Sequence, residues 1–555
     1  VLDRGTVSLR IRKPEEQYKV TFRSEIDGSL QYYAVTPALL TSNGPPARAL
    51  FLSTHGAGVE AIGQAQAYAP KTWGYLAAPT NRRPYGFDWE DWGRMDGLEV
   101  LELARARFKT DPAETYLTGH SMGGHGAWQL GVTFPDHFAA VAPSAGWISF
   151  RSYGGGRRVA ASNEIERLLE RAGTPGETLT LSSNYLHYGV YVLHGDADDN
   201  VPVSEARKMK DVLSGFHHDF IYHEQPGAGH WWGNACVDWP PIFDFFARHK
   251  IPEDQSITHI QFATANPGIS ASSHWVTIEA QEEALARSAV DILYDAGARK
   301  FIGITENTAR LSLDLLKFGV SDLAGVELDG QSIPLKNGSS PAPRLWFSRT
   351  ADKWTESDAP GNDMKGPQRN GPFKEAFNHR MVFVYGTAGT PEENAWSFAK
   401  ARFDAEMWYY RGNGAVDIEP DTAFGALSER ERSVVLYGNA NNNSAWKSLL
   451  ARSPVQVRHE AVQIGGREIK GDDLACLFCR PRPESESAMV AAVSGTGLAG
   501  LRLTERLPYF MSGVAFPDCT VLSAETLKTG SAGLPACGFF GNDWSVERGE
   551  FAWKE

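Results

Sequence analysis

Between the short apolar run Thr115-Tyr-Leu-Thr and a helix-like stretch at 123–133, the chain reads Thr118-Gly119-His120-Ser121-Met122-Gly123-Gly124. This is a G-x-S-x-G turn in the setting where the pattern constrains a fold, with a strand before it and a helix after. The residues two before and two after the serine must lack a Cβ, or strand and helix could not pack against each other. The serine then sits on a strained turn with its Oγ projecting above the end of a sheet. Such a turn demands a strand–helix architecture around it, and the flanking sequence supplies one.

Apolar runs at 49–54, 74–78, 115–118, 138–142 and 190–193 alternate with helical stretches at 91–109, 123–133, 163–172 and 204–213. Strand and helix in alternation imply a parallel sheet covered on both faces. Before them, and before the change of rhythm at Pro45-Pro46, Tyr18-Lys-Val-Thr-Phe-Arg-Ser and Leu30-Gln-Tyr-Tyr-Ala-Val-Thr alternate apolar with polar, as half-buried antiparallel strands do. An amphipathic segment at 241–250 closes this unit. From about 255 to 355 the pattern turns to period two, with 280–289 as one helix-like interruption, and reads as a β-sandwich-like module. A loop rich in Pro, Gly, Asp and Asn at 357–372 marks a second boundary. Three further strand-to-helix steps follow, led by Met381-Val-Phe-Val-Tyr, Ser433-Val-Val-Leu-Tyr and Ala488-Met-Val-Ala-Ala-Val. They predict a second, smaller doubly wound α/β unit of Rossmann or flavodoxin type without catalytic residues of its own. The expected division is 1–252, 253–360 and 361–555.

Composition limits what such a chain binds. With 54 Lys+Arg against 67 Asp+Glu, the net charge is −13, and no local basic patch offsets it, so nucleic acid is a poor partner. No apolar run approaches the roughly 18 residues of a membrane span. The chain begins at Val1 without Met, a basic region or an apolar leader, as a mature or trimmed product would. Five cysteines are too few for a disulfide scaffold, yet they allow one bridge among Cys476, Cys479, Cys519 and Cys537 in an exported protein. A secreted or periplasmic location is favoured, and a homo-oligomer is compatible with the sequence.

A serine hydroxyl attacks a carbonyl only when a neighbouring base takes its proton. His230, in the glycine-rich loop Pro226-Gly-Ala-Gly-His-Trp-Trp-Gly, is the candidate, because the order in hydrolases with this turn is Ser, acid, His. The acid belongs to the loop Gly195-Asp196-Ala-Asp198-Asp199-Asn200, where physics alone leaves Asp196, Asp198 and Asp199 open. Backbone N–H groups must hold the oxyanion. Met122 supplies one at the start of its helix, and Ala57 or Gly58 the other, from Ser53-Thr-His-Gly-Ala-Gly after the first parallel strand. Trp231 and Trp232 beside His230, His120 beside Ser121, and Trp147 after the strand ending near Pro143 are expected to line a substrate pocket. Trp89 and Trp92 read as packing, and Arg82-Arg83 as a solvated pair that could also meet an anionic substrate.

Two weaker patterns call for restraint. Ser494-Gly-Thr-Gly-Leu-Ala-Gly500 has dinucleotide-loop spacing, yet it lies in the third strand–helix step of its unit, so close packing is the better reading. Cys476-Leu-Phe-Cys479 with the two later cysteines matches no compact zinc site.

Gly119-His-Ser-Met-Gly-Gly, His194-Gly-Asp-Ala-Asp-Asp-Asn-Val-Pro and Gly229-His230 together resemble the catalytic domain of the prolyl oligopeptidase-type α/β-hydrolases, a group that includes many esterases. The resemblance covers about residues 45–250 and implies that Asp198, the first of the paired aspartates, is the triad acid. Oligopeptidases of that group carry a long β-propeller before the catalytic domain. Here nothing has blade periodicity, so ester hydrolysis is the simpler expectation and peptidase activity the alternative. The expected substrates are acetyl or feruloyl esters of carbohydrate, or small esters, and the chemistry calls for no metal or organic cofactor.

Overall fold

The computed structural model describes residues 6, 8, 11–40, 46–153, 161–336, 342–426 and 429–554. Val1 and Pro45 lie outside them. The first sheet contains β1 (Tyr18–Arg23), β2 (Leu30–Thr36), β3 (Ala49–Thr54), β4 (Gly74–Ala78), β5 (Thr115–His120), β6 (Ala140–Ser144), β7 (Gly189–Gly195) and β8 (Phe220–Gln225). Their order is β1-β2-β4-β3-β5-β6-β7-β8. The β1–β2 and β2–β4 pairs are antiparallel, and every pair from β4 to β8 is parallel.

Seven helices accompany this sheet: α1 (Ala61–Gln66), α2 (Asp91–Phe108), α3 (Met122–Thr133), α4 (Phe150–Tyr153), α5 (Glu164–Ala172), α6 (Ser204–Ser214) and α7 (Pro240–Phe246). Strands β3, β5, β6 and β7 are buried along their whole length, as strands with helices on both faces must be. Alternate side chains of β3 serve the two faces. Leu50 and Leu52 pack with Val100 and Leu101 of α2, whereas Ala49 and Phe51 join Ile242 and Phe246 of α7.

The middle of the chain forms two five-stranded sheets. Its strands are β9 (His259–Thr264), β10 (Ser272–Ser273), β11 (Val276–Gln281), β12 (Ser288–Asp295), β13 (Lys300–Glu306), β14 (Thr308–Asp314), β15 (Gly325–Leu328), β16 (Gln331–Ile333), β17 (Arg344–Thr350) and β18 (Lys353–Ser357). One sheet runs β10-β11-β14-β17-β18 and the other β16-β15-β13-β12-β9. The helix expected at 280–289 does not form. Its residues carry the chain from β11 in one sheet to β12 in the other. Leu285 takes a left-handed φ of 58° there, and the Gln281 side chain closes the loop on Leu285 N, Ala286 O and Ser288 Oγ.

The C-terminal unit is larger and more mixed than its three strand–helix steps suggest. Strands β19 (Met381–Tyr385), β20 (Asp417–Pro420), β21 (Ser433–Tyr437), β22 (Val455–Arg458), β23 (Ala461–Ile464), β24 (Arg467–Lys470), β25 (Ala475–Pro481), β26 (Met489–Gly495), β27 (Cys519–Leu522), β28 (Ala536–Phe539) and β29 (Glu550–Trp553) follow the linker. Eight of them make a sheet ordered β20-β19-β21-β26-β25-β27-β28-β29, and β22-β23-β24 form a separate meander. The part β20-β19-β21-β26 is parallel, and everything from β25 to β29 is antiparallel. A long helix at Pro391–Gly412 begins in a capping box between Thr390 and Glu393, which satisfies its first orphan amides. The five cysteines are buried and free, so the expected bridge is not made; they pack as small apolar side chains.

The parts share a core. Phe87 and Trp92 of the first unit belong to the same apolar cluster as Phe377, Trp408 and Phe510. Arg82, expected on the surface, is buried at this junction. It pairs with Asp27 at 2.5 Å and donates to the carbonyl of Gly412 at 2.9 Å, while Trp408 Nε1 donates to the same Asp27 carboxylate at 2.9 Å. Arg83 donates to the carbonyl of Tyr409 at 3.2 Å. Arg82 is thus spent inside the protein, and Arg83 reaches the long helix through this bond.

Candidate active site

Ser121 lies between β5 and α3 with φ 59° and ψ −123°, a conformation that a non-glycine residue holds only when its surroundings force it. The glycines provide the force. A Cβ on Gly119 would come within 2.1 Å of Thr54 Oγ1, one on Gly123 within 2.0 Å of Thr54 O, and one on Gly124 within 2.3 Å of Ser144 O. The helix therefore presses on neighbouring strands, and the side chain at 121 has nowhere to go but outward over the sheet's carboxyl edge.

His230 arrives there from the loop after β8. Its Nε2 lies 2.9 Å from Ser121 Oγ, and its Nδ1 lies 2.8 Å from Oδ2 and 3.0 Å from Oδ1 of Asp198. A carboxylate only accepts, so Nδ1 carries the proton and Nε2 offers its lone pair to the serine hydroxyl. Gly195 makes the meeting of the two loops possible, since a Cβ there would reach within 2.4 Å of Ala228 O.

Of the three aspartates left open by sequence, the structure brings Asp198 to the histidine. Asp196 accepts from Gly227 N at 2.6 Å and ties the two loops together, and Asp199 is exposed. The Asp198 side chain is fully buried, and burial alone would raise its carboxyl. Hydrogen bonds from His194, His230 and the Asn200 amide outweigh that and hold it well below the ordinary aspartate range, so it is ionised. His194 Nε2 lies 2.9 Å from Val201 O and 3.2 Å from Asp198 Oδ2, both acceptors, so this nitrogen is protonated and braces the acid. The sequence carries one signal for this role of His194, its i,i+4 offset from Asp198.

The oxyanion groups divide. Gly58 N–H already donates to Pro84 O at 2.9 Å, so the expectation that it could serve is corrected: its donor is spent on a turn that sequence could not place beside it. The N–H groups of Ala57 and Met122 bond to no protein group among the described residues, and a Cβ on Gly56 would touch Ser121 Cβ at 3.3 Å, which puts this loop against the serine.

Three of the four residues expected in the pocket play other parts. His120 is buried, and its Nε2 lies 2.8 Å from the carbonyl oxygen of His230, so it donates there and fixes the histidine loop. Burial, with the His230 imidazole nearby, pushes it down to about 4, so it stays neutral. Trp147 is buried, stacked on His125 at 4.9 Å and beneath Tyr153 at 4.7 Å. Trp232 turns into the core on the α7 face, and its amide donates to Cys236 Sγ at 3.1 Å. For His120 and Trp232, adjacency in sequence is a poor guide, because neighbouring side chains diverge. Trp231 is 50% exposed and stands edge-on to His120 at 5.1 Å, at the mouth. Two aromatics that sequence missed join it. Tyr85 is 71% exposed, with its hydroxyl 3.0 Å from where a Cβ on Gly58 would be, and Tyr153 covers Trp147 with its hydroxyl 3.3 Å from Asn200 Oδ1. Tyr85 follows the Asn81-Arg-Arg-Pro turn, a visible loop signal, but nothing in the sequence says which loop it overhangs.

Residues 82–249, which hold all three members of this relay, match the prolyl oligopeptidase family. The chain carries a prolyl oligopeptidase family domain. The fold of that domain is the α/β-hydrolase fold, with the Ser121 turn after the central parallel strand β5. An uncharacterized secreted protein of Arthroderma benhamiae is 23% identical over 85% of this chain, and the chain spans 52% of that relative's length. S-formylglutathione hydrolase of Paracoccus denitrificans is 37% identical over 92 residues, 15% of this chain and 33% of that one. Among solved structures, a puromycin-hydrolyzing peptidase of Mycobacterium tuberculosis is similar at 16% identity and a TM-score of 0.32, covering 41% of this chain and 38% of that one. Among the described residues, no helix is long and apolar enough to cross a membrane.

Proposed function

We propose that the chain is a serine carboxylic-ester hydrolase in which Ser121 is the nucleophile, His230 the general base and acid, and Asp198 the group that orients and charge-balances His230. The observation that carries this is the continuous relay from a buried, ionised Asp198 through His230 to a Ser121 hydroxyl held at 2.9 Å on a strained turn. Ser121 Oγ bonds to the ester carbonyl carbon while its proton passes to His230 Nε2. The tetrahedral oxyanion is held by the N–H groups of Met122 and Ala57. Collapse expels the alcohol, which leaves with the proton from Nε2. Water then attacks the acyl-enzyme, gives a proton to Nε2, and the acid departs as that proton returns to Ser121 Oγ.

Ester substrates of carbohydrate, acetylated or feruloylated, or small esters suit a mouth with exposed Trp231, Tyr85 and Tyr153, which offers aromatic faces to a ring-shaped group. The match to the prolyl oligopeptidase family favours a second reading as an exo- or oligopeptidase. In the same reading, the chain divides into a catalytic part at 1–252, a β-sandwich part at 253–360 and a non-catalytic α/β part at 361–555. The name of the Arthroderma relative supports a secreted location.

The test is a panel of acetyl and feruloyl esters beside dipeptide anilides, with Ser121→Ala as control and fluorophosphonate labelling of the native serine. Ester turnover lost in Ser121→Ala is the expected result. Faster anilide turnover would reverse the substrate class, and an unlabelled native protein would remove the enzyme assignment.

A further inference from the structure

Away from Ser121, where the three parts of the chain meet, lies a cavity of about 1060 Å³. Arg94, Met95 and Leu98 of α2 form one wall; Phe134, Phe150 and Leu169 add an apolar surface beside it. The turn after the linker contributes Lys374 and Glu375. None of Ser121, Asp198 and His230 borders this space.

Arg94 is the unexplained group. It is 5% exposed, its side chain makes no hydrogen bond or ion pair with any described residue, and one terminal guanidinium nitrogen is enclosed with no partner. Its neighbours are otherwise accounted for. Lys374 Nζ donates to Asp91 Oδ2 and to Met511 O, each at 2.8 Å, and Arg151 lies 3.4 Å from Glu177. Glu90 is 3.2 Å from His125 Nε2. Glu375 accepts backbone amides from Asn370 and Gly371, and burial pushes it up to about 8, so it is uncharged at neutrality. His379 is pushed down by burial and is neutral as well, and Glu170 stands half-buried at the rim. A guanidinium buried without a bonded anion is among the costliest arrangements a fold can keep.

We propose that this cavity is a binding site for an organic monocarboxylate, its carboxylate bridging the Arg94 guanidinium and its apolar body lying against Met95, Leu98, Phe134 and Leu169. The fork of a guanidinium matches a carboxylate in two parallel hydrogen bonds, which its nitrogens other than the enclosed one can make, and the buried charge gains the bonded anion it lacks. The ligand carries a single charge, because Glu90 and Asp91 flank Arg94 and repel a second one. Its apolar body follows from the wall, which a small inorganic anion would leave wet. This site stands whether or not Ser121 hydrolyses esters.

Calorimetric titration of the full chain tests it, in a Ser121→Ala background so that turnover and the serine play no part. The probes are 4-phenylbutyrate and the matching alcohol 4-phenylbutan-1-ol. The carboxylate is expected to bind at least tenfold more tightly than the alcohol. Arg94→Met erases that preference, and Leu169→Trp, which narrows the space from the other side, weakens both probes. A thermal melt adds an independent reading: with no ligand, Arg94→Met raises Tm because it removes an unpaired charge. Should Arg94→Met fail to fold, Leu169→Trp alone decides. The proposal falls if the native arginine gives no preference for the carboxylate, or if phenylbutyrate binds Leu169→Trp as tightly as the parent.

Discussion

Two strand-to-helix turns in this chain are built on glycine, and they differ in what they present. The turn from β5 to α3 and the turn from β26 into the helix Leu498–Leu503 each leave a parallel strand inside an eight-stranded sheet. In both, a glycine Cβ would strike backbone at 2.0 Å: Gly123 against Thr54 O, and Gly500 against Leu474 O. Yet Ser121 holds φ 59° and projects outward, whereas Gly497 at the second turn is extended at φ −172°. Ser494 and Thr496 are buried there, with Thr496 Oγ1 engaged by Leu474. Glycine spacing thus reports close packing in both places. At the first of them alone, a left-handed turn aims a hydroxyl outward and two further loops bring an imidazole and a carboxylate to it.

The largest test of that contrast exchanges the serines. Ser121→Ala is expected to lower ester turnover by about 10⁴-fold or more with Tm almost unmoved, while Ser494→Ala leaves turnover within about twofold; a large loss at 494 would break the comparison. Asp198→Asn follows closely, at about 10⁴-fold in kcat, because an amide permits the wrong imidazole tautomer. The glycines come next. Gly123→Ala and Gly500→Ala each force backbone apart and cost roughly 1–3 kcal/mol of stability. Per folded molecule, Gly500→Ala keeps its kcat/KM and Gly123→Ala loses about tenfold or more through displacement of the elbow, which active-site titration beside denaturant melts separates. His120→Ala should cost about tenfold in kcat with KM nearly constant, the worth of one buried hydrogen bond to the His230 loop. His120→Gln, which keeps a donor, should recover part of it; an unchanged kcat in His120→Ala would remove the positioning role.

How far the sequence was legible follows from the range of the forces involved. Strands such as Leu30–Thr36 and Lys300–Glu306 and the serine turn are set by neighbours a few residues away, so pattern and sterics sufficed. Gly58 was misjudged because its amide is taken by Pro84, across a loop with no sequence signature. Arg82 was misjudged because its partners Asp27 and Gly412 are contributed by an N-terminal turn and a distant helix. Residues 280–289 have helix-forming composition, but tertiary demand for a crossing between two sheets overrode it. The antiparallel half of the last sheet escaped notice since β27, β28 and β29 are four residues each, too short to show a period.

A last contrast sets two buried carboxyls against each other. Asp198, bonded to His230, is driven down by its hydrogen-bond donors; Glu375, just after the linker and against the C-terminal sheet, is driven up to about 8 by burial, with the Asp518 carboxylate adding to the rise and the amides of Gly371 and Asn370 only partly opposing it. From its ordinary value of 4.5 up to about 8, the unfolded chain has released the Glu375 proton while the folded chain keeps it. The unfolded state then binds fewer protons, so this residue makes stability fall as pH rises through that window and level off above it. Asp198 acts in the opposite sense, its contribution being complete near neutrality and lost in acid. Glu375→Gln, which keeps an acceptor for the two amides, is therefore expected to change Tm little at pH 5 and to raise it by a few °C, roughly, at pH 8.5. The same shift at both pH values would mean that the carboxyl is not held in its protonated form, and Glu375 would lose its distinction from Asp198.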